Sequence, residues 1–156
     1  MIENLLRLLF RHQDIVHQGS LYLRRFLLTP SLFGWELMLH KICRPDVDVA
    51  LHDHPWDFAV LCLSGGYIEQ VFSGGRVSEE ALAVGQIRFR SSEHTHRIAY
   101  LLDGAAWTLV LHAPKTRIWG FWDVAATPPR FTAARDYFKP GYDAAAAPAR
   151  GIAART

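Results

Sequence analysis

The segment from Ala59 to Val84 reads AVLCLSGGYIEQVFSGGRVSEEALAV, in which two Ser-Gly-Gly turns separate runs of aliphatic, aromatic and β-branched residues. Such runs between glycine turns are typical of β-strands joined by tight hairpins. The gaps leave no room for a crossover helix, so neighbouring strands must run antiparallel. Similar runs and turns continue on both sides at spacings of about 8 to 12 residues, which predicts an all-β sandwich or barrel.

The same reasoning, applied to the whole chain, assigns strands to most of it between residues 21 and 122. We expect strands at 21–28, 35–42, 49–54, 59–63, 67–72, 81–83, 86–90, 96–101, 107–112 and 117–122. In the strand at 35–42, alternate residues form one face with Glu36, Met38 and His40 and another with Trp35, Leu37 and Leu39. We expect the second, purely apolar face to lie in the core.

The composition indicates one globular domain. The chain has 156 residues, of which 50% are hydrophobic and 21% charged, with a formal net charge of +2. The charges are interspersed, so the basic face that a nucleic-acid-binding protein needs is missing. Two cysteines are too few for a disulfide framework, and no apolar run has the length of a membrane span. Residues 1–10 do not have the pattern of a secretory signal, so we expect a cytoplasmic protein without a membrane or nucleic-acid partner.

Three regions follow along the chain. Residues 1–20 form an N-terminal helical segment, because apolar residues recur at helical spacing between Ile2 and Phe10. Residues 21–139 form the β-barrel. Residues 140–156 form a low-complexity tail with four consecutive alanines, which we expect to be mobile unless a partner orders it.

Two histidine pairs carry the chemistry of this sequence, His52-Asp53-His54 and His94-Thr95-His96. Residues i and i+2 of a strand point to the same face, so each pair can project two imidazoles in one direction. A single His-x-His pattern is weak evidence, but two of them in a β context favour a metal site over satisfied surface histidines. Imidazole suits iron, nickel, copper and zinc, and three such ligands leave coordination positions open.

These pairs, with the glycines around them, resemble the two motifs of the cupin superfamily. The first motif reads Gly, five residues, His-x-His, three or four residues, Glu, six residues, Gly; His52, His54 and the closing Gly66 match it, and Asp46 replaces the opening glycine. The resemblance covers about residues 35–122. It implies an all-β double-stranded β-helix, the cupin or jelly-roll barrel, with a short N-terminal helix outside it and a metal ion inside the barrel mouth.

The second cupin motif reads Gly, five residues, Pro-x-Gly, two residues, His, three residues, Asn. Gly85 and His96 fit at the correct spacing, whereas Ser91, Glu93 and Tyr100 replace the proline, the second glycine and the asparagine.

The family's glutamate ligand is missing, because Phe58 or Ala59 occupies its position. The simplest outcome is a site of three histidines, His52, His54 and His96, which resembles the ferrous site of cupin thiol dioxygenases and diketone-cleaving dioxygenases. The resemblance implies a divalent metal ion, Fe²⁺ first, with Zn²⁺, Ni²⁺ or Mn²⁺ as alternatives. A carboxylate from Asp57, Glu69 or Glu93 stays open as a further ligand.

Several other residues can contribute to catalysis or to a substrate pocket. His94 is a metal ligand, a catalytic acid or base, or a group supporting the ligands, and Tyr100 is a second candidate acid or base. Candidate pocket residues are His40, Asp57, Arg88, Arg90 and His112. The two arginines share one strand face and would suit an anionic group, although that face can equally be solvated. A turn role competes with the pocket role of Asp57.

Three functions are consistent with these residues. The first is a mononuclear iron enzyme of the dioxygenase type acting on a small molecule. The second is a metal-dependent isomerase or lyase, and the third is a non-catalytic module that binds or senses a small molecule. The strands at 21–28 and 35–42 are rich in large apolar residues, so we also expect a homodimer. Asp53, Asp57 and Glu93 are the nearest acceptors in sequence for the outer N–H groups of the ligands.

Overall fold

The computed structural model describes residues 2–17, 19–48 and 50–139, which form two short helices and twelve strands. In chain order these are α1 Ile2–Leu9, β1 Arg11–His17, β2 Ser20–Leu27, β3 Glu36–Ile42, β4 Leu51–His52, β5 Phe58–Ser64, β6 Tyr67–Ser73, β7 Arg76–Leu82, β8 Ile87–Arg90, β9 Thr95–Leu101, β10 Ala106–His112, β11 Gly120–Asp123, β12 Arg130–Ala133 and α2 Ala134–Tyr137. Neither helix has the length and hydrophobicity of a membrane span.

The strands form two six-stranded sheets that face each other. The first sheet has the order β1-β2-β3-β10-β5-β8 and the second the order β12-β11-β4-β9-β6-β7. All the pairings are antiparallel, which confirms the predicted jelly-roll architecture. The β6–β7 hairpin illustrates why neighbouring strands are antiparallel. Ser73 pairs with Arg76 across Gly74 and Gly75, whose φ angles of 56° and 79° suit a two-residue hairpin turn.

The core lies between the sheets and comes from alternate residues of the inner strands. Its buried members are Leu23, Met38, Ile42, Val60, Cys62, Tyr67, Leu82, Ile98, Ala106 and Val110. The prediction for β3 was wrong: Met38 and Ile42 are buried, whereas Trp35 is 49% exposed and Leu37 and Leu39 are only half-buried. The inner face can carry Glu36 and His40 because both find polar partners inside the barrel, His112 and Arg25.

The N-terminal helix is confirmed for Ile2–Leu9, but Arg11–His17, expected within the helical segment, forms strand β1 against β2. Helix α1 is fastened to the outer surface of the first sheet by Glu3, which forms ion pairs with Arg24 and Lys41. At the other end, β12 extends the second sheet beyond the last predicted strand, and helix α2 follows it. The predicted tail, residues 140–156, lies outside the described residues.

Candidate metal centre

His52, His54 and His96 meet on the inner face of the second sheet. His52 ends β4 and lies directly opposite His96 of β9 in the antiparallel register, and His54 follows two residues after the strand. One ring nitrogen from each histidine can be chosen so that all three lie within 4.8 Å of one another. The Nε2 atoms of His54 and His96 are 3.0 Å apart.

The strand carrying the first histidine pair is shorter than expected, since it covers Leu51–His52 rather than residues 49–54. Backbone hydrogen bonds hold the extended chain beyond it: Asp53 N–H donates to the carbonyl of Gly120, and His54 N–H donates to that of Ser92. These bonds keep the rings of His52 and His54 on one side, with centroids 5.2 Å apart. The same-face argument for the pair therefore holds although only one member lies in a strand.

Burial makes the first two rings neutral. It lowers the pKa of His52 to about 4, with Asp46 opposing the shift and His96 adding to it. Burial, followed by the neighbouring rings of His96 and His52, lowers the pKa of His54 well below its usual value. Neutral imidazole is the form that binds a metal ion.

The geometry fits one ion. Metal–imidazole bonds are about 2.0–2.1 Å long, so two ligands at right angles around one ion have nitrogens about 3.0 Å apart. The His54–His96 separation of 3.0 Å matches this spacing. These three residues are therefore suited to hold a divalent ion from one side and to leave its other side open.

Glu69 supports this arrangement from the opposite edge of His96. It lies on the inner face of β6, is almost fully buried, and its Oε2 is 2.5 Å from Nδ1 of His96. Burial would raise the pKa of this carboxyl, but hydrogen bonds from His94 and His96 and the charge of Arg90 hold it below the usual range. An ionised Glu69 requires Nδ1 of His96 to carry the proton, which leaves Nε2 as the ligand atom.

His94 joins Glu69 rather than the three-histidine cluster. Its Nε2 is 3.5 Å from Oε2 of Glu69, and its ring centroid is 4.7 Å from that of His96. Glu69, His94 and His96 could be considered a second ligand set. However, Arg90 forms an ion pair with Glu69 and another with Glu80 at 2.8 Å, so its cation already occupies the carboxylate that an ion would need.

No protein-family model matches the sequence, and no curated protein matches it. Solved structures do resemble the fold. The Fe(II) form of HppE has a TM-score of 0.56 at 14% identity, with 67% of this chain and 56% of HppE covered. A cupin-2 domain from Rhodospirillum rubrum has a TM-score of 0.53 at 15% identity over 81% of this chain and 78% of that domain. This chain has the cupin fold.

A structure of the DMSP lyases RdDddP and RnDddQII adds to this group, with a TM-score of 0.51 at 19% identity over 66% of this chain and 56% of that one. The chain thus spans just over half the length of HppE and of the lyase structure. At these identities the likeness is one of fold.

Within this cupin barrel, the candidate pocket residues take different places. His112 is stacked on Trp56 at 4.2 Å and its Nε2 is 3.2 Å from Glu36, so both its ring face and its polar edge have partners. His40 faces the interior and accepts a hydrogen bond from Arg25. Burial, then Arg25, then His112 lower the pKa of His40 to about 3.

The two arginines of β8 point inward while Phe89 between them is 82% exposed, the reverse of a solvated arginine face. Arg90 is engaged by Glu69 and Glu80, and Arg88 donates to the Gln86 side chain and to the carbonyl of Ile87.

Asp57 and Tyr100 are not brought to the histidines in a catalytic arrangement. Asp57 accepts the backbone N–H of Ser92 at 2.6 Å, a bond to a residue 35 positions away and not to its own turn near Pro55 and Trp56. The register of the β6–β9 pairing shifts between Ile98 and Tyr100. The side chain of Tyr100 is 56% exposed. His94 is thus the candidate acid or base that the structure places beside the cluster.

Asp53, expected as an acceptor for a ligand ring, instead fastens the loop after β4. It is fully buried and accepts bonds from the guanidinium of Arg117, the backbone N–H of Gly120 and the indole N–H of Trp122, all at 2.8–2.9 Å. Because Asp53 lies between the two histidines, this anchoring positions both of them. The sequence signal was the charged residue inside His-x-His, whose partners lie more than 60 residues away.

Aromatic rings form two walls beside the cluster. Phe58 lies 4.7 Å from the ring of His54, and Phe121 lies 6.0 Å from that of His52. Tyr137 of α2 stacks on Phe121 at 3.8 Å. The sequence did not single out Phe121 and Tyr137 as site residues, because nothing in their spacing shows that the C-terminal helix packs at β11. Their rings limit the access of water to one side of the site.

Proposed function

We propose that this protein is a mononuclear metal-dependent cupin that acts on a small molecule. The observation that carries the proposal is the convergence of His52, His54 and His96, whose ring nitrogens lie within 4.8 Å of one another. The neutral state of His52 and His54 and the fixed tautomer of His96 make three good donors available without adding charge.

The ion that we propose is ferrous iron. HppE, one of the structures with a similar fold, is known in an Fe(II) form, and three imidazoles suit iron as well as zinc or nickel. When bound, such an ion supplies a Lewis acid with open positions for a small molecule and dioxygen. We infer an oxidoreductase of the dioxygenase type on this basis, in the cytoplasm, as the sequence predicts.

The residues of the chain have separable roles around that ion. Glu69 holds the orientation and tautomer of His96 through the 2.5 Å contact. His94 can hold or release a proton at Nε2, where Glu69 is its acceptor at 3.5 Å. Phe58 and Phe121 keep water from the sides of the cluster, which strengthens electrostatic interactions within it.

The test has two stages. Elemental analysis of protein purified without added metal should give close to one ion per chain, and a His54→Ala variant should give almost none. Oxygen uptake by the ferrous-loaded protein is then measured with a panel of small molecules. Uptake supports the dioxygenase reading, turnover without uptake supports an isomerase or lyase, and saturable binding without turnover supports a binding or sensing module. Wild-type protein that binds no metal contradicts both enzyme readings and leaves the binding or sensing module.

We also propose a homodimer formed through the outer face of the first sheet. The register places Ala59 between Phe89 and Leu111, and Leu61 beside Ile87, so these side chains form a continuous apolar area. Ile87 and Phe89 are each more than half exposed, as are Ile2, Leu5, Leu8 and Leu9 of helix α1. Exposed apolar areas of this kind mark protein interfaces.

A second copy of the chain is the occupant that the charges favour. A two-fold contact brings the same patch of both subunits together, so a patch that carried unpaired charge of one sign would place like charges in one interface. The outer-face residues Leu61, Ile87, Phe89 and Leu111 are uncharged, and the nearby Glu3 is paired with Arg24 and Lys41. Helix α1 has eight residues and none of them is buried, so its apolar side is available to pack against a second copy.

A further inference from the structure

Arg25 is an inward-facing cation of the barrel. It lies on β2 opposite His40 of β3, and two residues away on the same faces are the core residues Leu23 and Ile42. Its neighbours Arg24 and Phe26 lie on the other face of the strand. A guanidinium does not lose its proton in a protein, so Arg25 brings a permanent positive charge into the interior.

The guanidinium is oriented but not neutralised. Its Nε–H donates to Nε2 of His40 at 3.2 Å. Among residues 2–17, 19–48 and 50–139, no carboxylate forms an ion pair with Arg25 and no atom accepts a hydrogen bond from its two Nη groups. Glu36 is close enough to favour the charge, but its carboxylate contacts His112 instead.

This differs from the other inward arginines. Arg90, for which the sequence suggested an anionic ligand, already has two glutamate partners, and the Nη groups of Arg88 are used by neutral oxygens. A cation that is largely removed from water without a carboxylate in direct contact is costly, and an incoming oxyanion would offset this cost with two parallel hydrogen bonds.

His40 contacts Arg25 and also influences one of the proposed metal ligands. Its ring is neutral, so Nε2 accepts from Arg25 while Nδ1 carries the proton. The same ring is near enough to His54 to contribute to the lowered pKa of that ligand. Arg25 and His40 therefore lie on an inward face of the barrel, as the three-histidine cluster does.

We propose that Arg25, oriented by His40, binds an oxyanionic group, a carboxylate or a phosphoryl group, of the small molecule that enters the barrel. This inference builds on the proposed function, because it assigns the chemical class of the small molecule on which the proposed metal centre acts. Arg25 and the His52, His54 and His96 cluster both face the space between the two sheets, so a molecule anchored at Arg25 would extend into that space.

The test is an NMR titration of the zinc-loaded protein that follows the backbone amide signals of β2 and β3, which every variant retains. The probes are propionate, inorganic phosphate and neutral propionamide, which matches propionate in shape. We expect saturable binding of at least one anion and none of the amide. Arg25→Gln should weaken that binding about ten- to a hundredfold, since hydrogen bonds to charged groups contribute about 1.5–3 kcal/mol. The anion affinity of Arg25→Lys should lie between those of the wild type and Arg25→Gln. Arg76→Gln, on the exposed β6–β7 hairpin, should bind the anion as tightly as the wild type.

Propionate bound more tightly than phosphate assigns a carboxylate, and the reverse assigns a phosphoryl group. Equal binding of propionate and propionamide, or unchanged binding in Arg25→Gln, would overturn the inference. The zinc content of each variant is measured in the same samples. Normal zinc content without anion binding rejects the anion site alone, whereas anion binding by wild-type protein that takes up no metal rejects the proposed metal centre alone.

Discussion

The carboxylate of Glu69 and the ring of His96 lie on adjacent strands, with Oε2 of Glu69 2.5 Å from Nδ1 of the ring. The opposite nitrogen of the same ring, Nε2, is 3.0 Å from Nε2 of His54. One imidazole is therefore shared between a buried anion and the cluster that we assign to a metal ion. A carboxylate in this position raises the basicity of the ligand and prevents the ring from rotating.

Replacing the anion should weaken the metal site without removing a ligand. We expect Glu69→Gln to lower metal affinity about 10- to 100-fold, because the amide neither carries the charge nor fixes the tautomer of His96. Competition with a chromophoric chelator measures the affinity. The control is Glu79→Gln on β7, whose side chain is exposed and contacts only Gln70 in the part of the chain that the structure describes. Equal affinities for both variants would show that Glu69 does not act through the ligand.

Substitution in the first histidine pair should lower metal affinity more than substitution of His94 in the second. His54→Ala leaves at most two imidazoles of the cluster and should reduce metal affinity by orders of magnitude, while the barrel stays folded because its core does not depend on the ion. His94→Ala should keep affinity within about tenfold, since its ring contacts Glu69 at 3.5 Å rather than the cluster. Metal content after dialysis and far-ultraviolet circular dichroism check the two statements. A loss of metal from His94→Ala as complete as that from His54→Ala would make His94 a ligand.

Local sequence predicted those features that depend on local geometry. The Gly74-Gly75 hairpin follows from the need for positive φ, and the alternation of strand residues brought His52 and His54 to one side. Features that depend on pairing between distant strands were not predictable. The inner face of β3 is an example, because His40 can face inward only when Arg25 lies opposite on β2.

The sequence also could not show which residues contact each other across paired strands. Glu69 was considered as a metal ligand, but only the β6–β9 register shows that it meets the outer nitrogen of His96. Strand β1 was missed because its sequence, RHQDIVH, lacks an apolar alternation. It becomes a strand by hydrogen bonding to β2 along its whole length, which local propensity does not report.

Asp53 should matter for folding more than its position between two histidines suggests. Its buried carboxylate binds Arg117, the Gly120 amide and the Trp122 indole, so Asp53→Ala leaves three donors without this acceptor. We expect the free energy of unfolding to fall by about 3–5 kcal/mol. Urea denaturation of metal-free protein measures it without a contribution from ligand binding. Asp103→Ala, in an exposed turn, should change it by less than about 0.5 kcal/mol, and a similarly small change for Asp53→Ala would contradict the anchoring role.

The apolar outer face of the first sheet gives a prediction about mass in solution. Light scattering at micromolar concentration should give twice the chain mass of 17.7 kDa for the wild type. Phe89→Asp should give a monomer, because in a two-fold contact it brings two carboxylates into an apolar area that excludes water. Val77→Asp makes the same change at a half-exposed site on the second sheet and should leave the dimer intact. A monomeric wild type would contradict the proposed homodimer. A dimeric Phe89→Asp would show that the interface lies on another surface. Metal content should be equal in all three proteins, because no ligand of the proposed centre comes from the outer face.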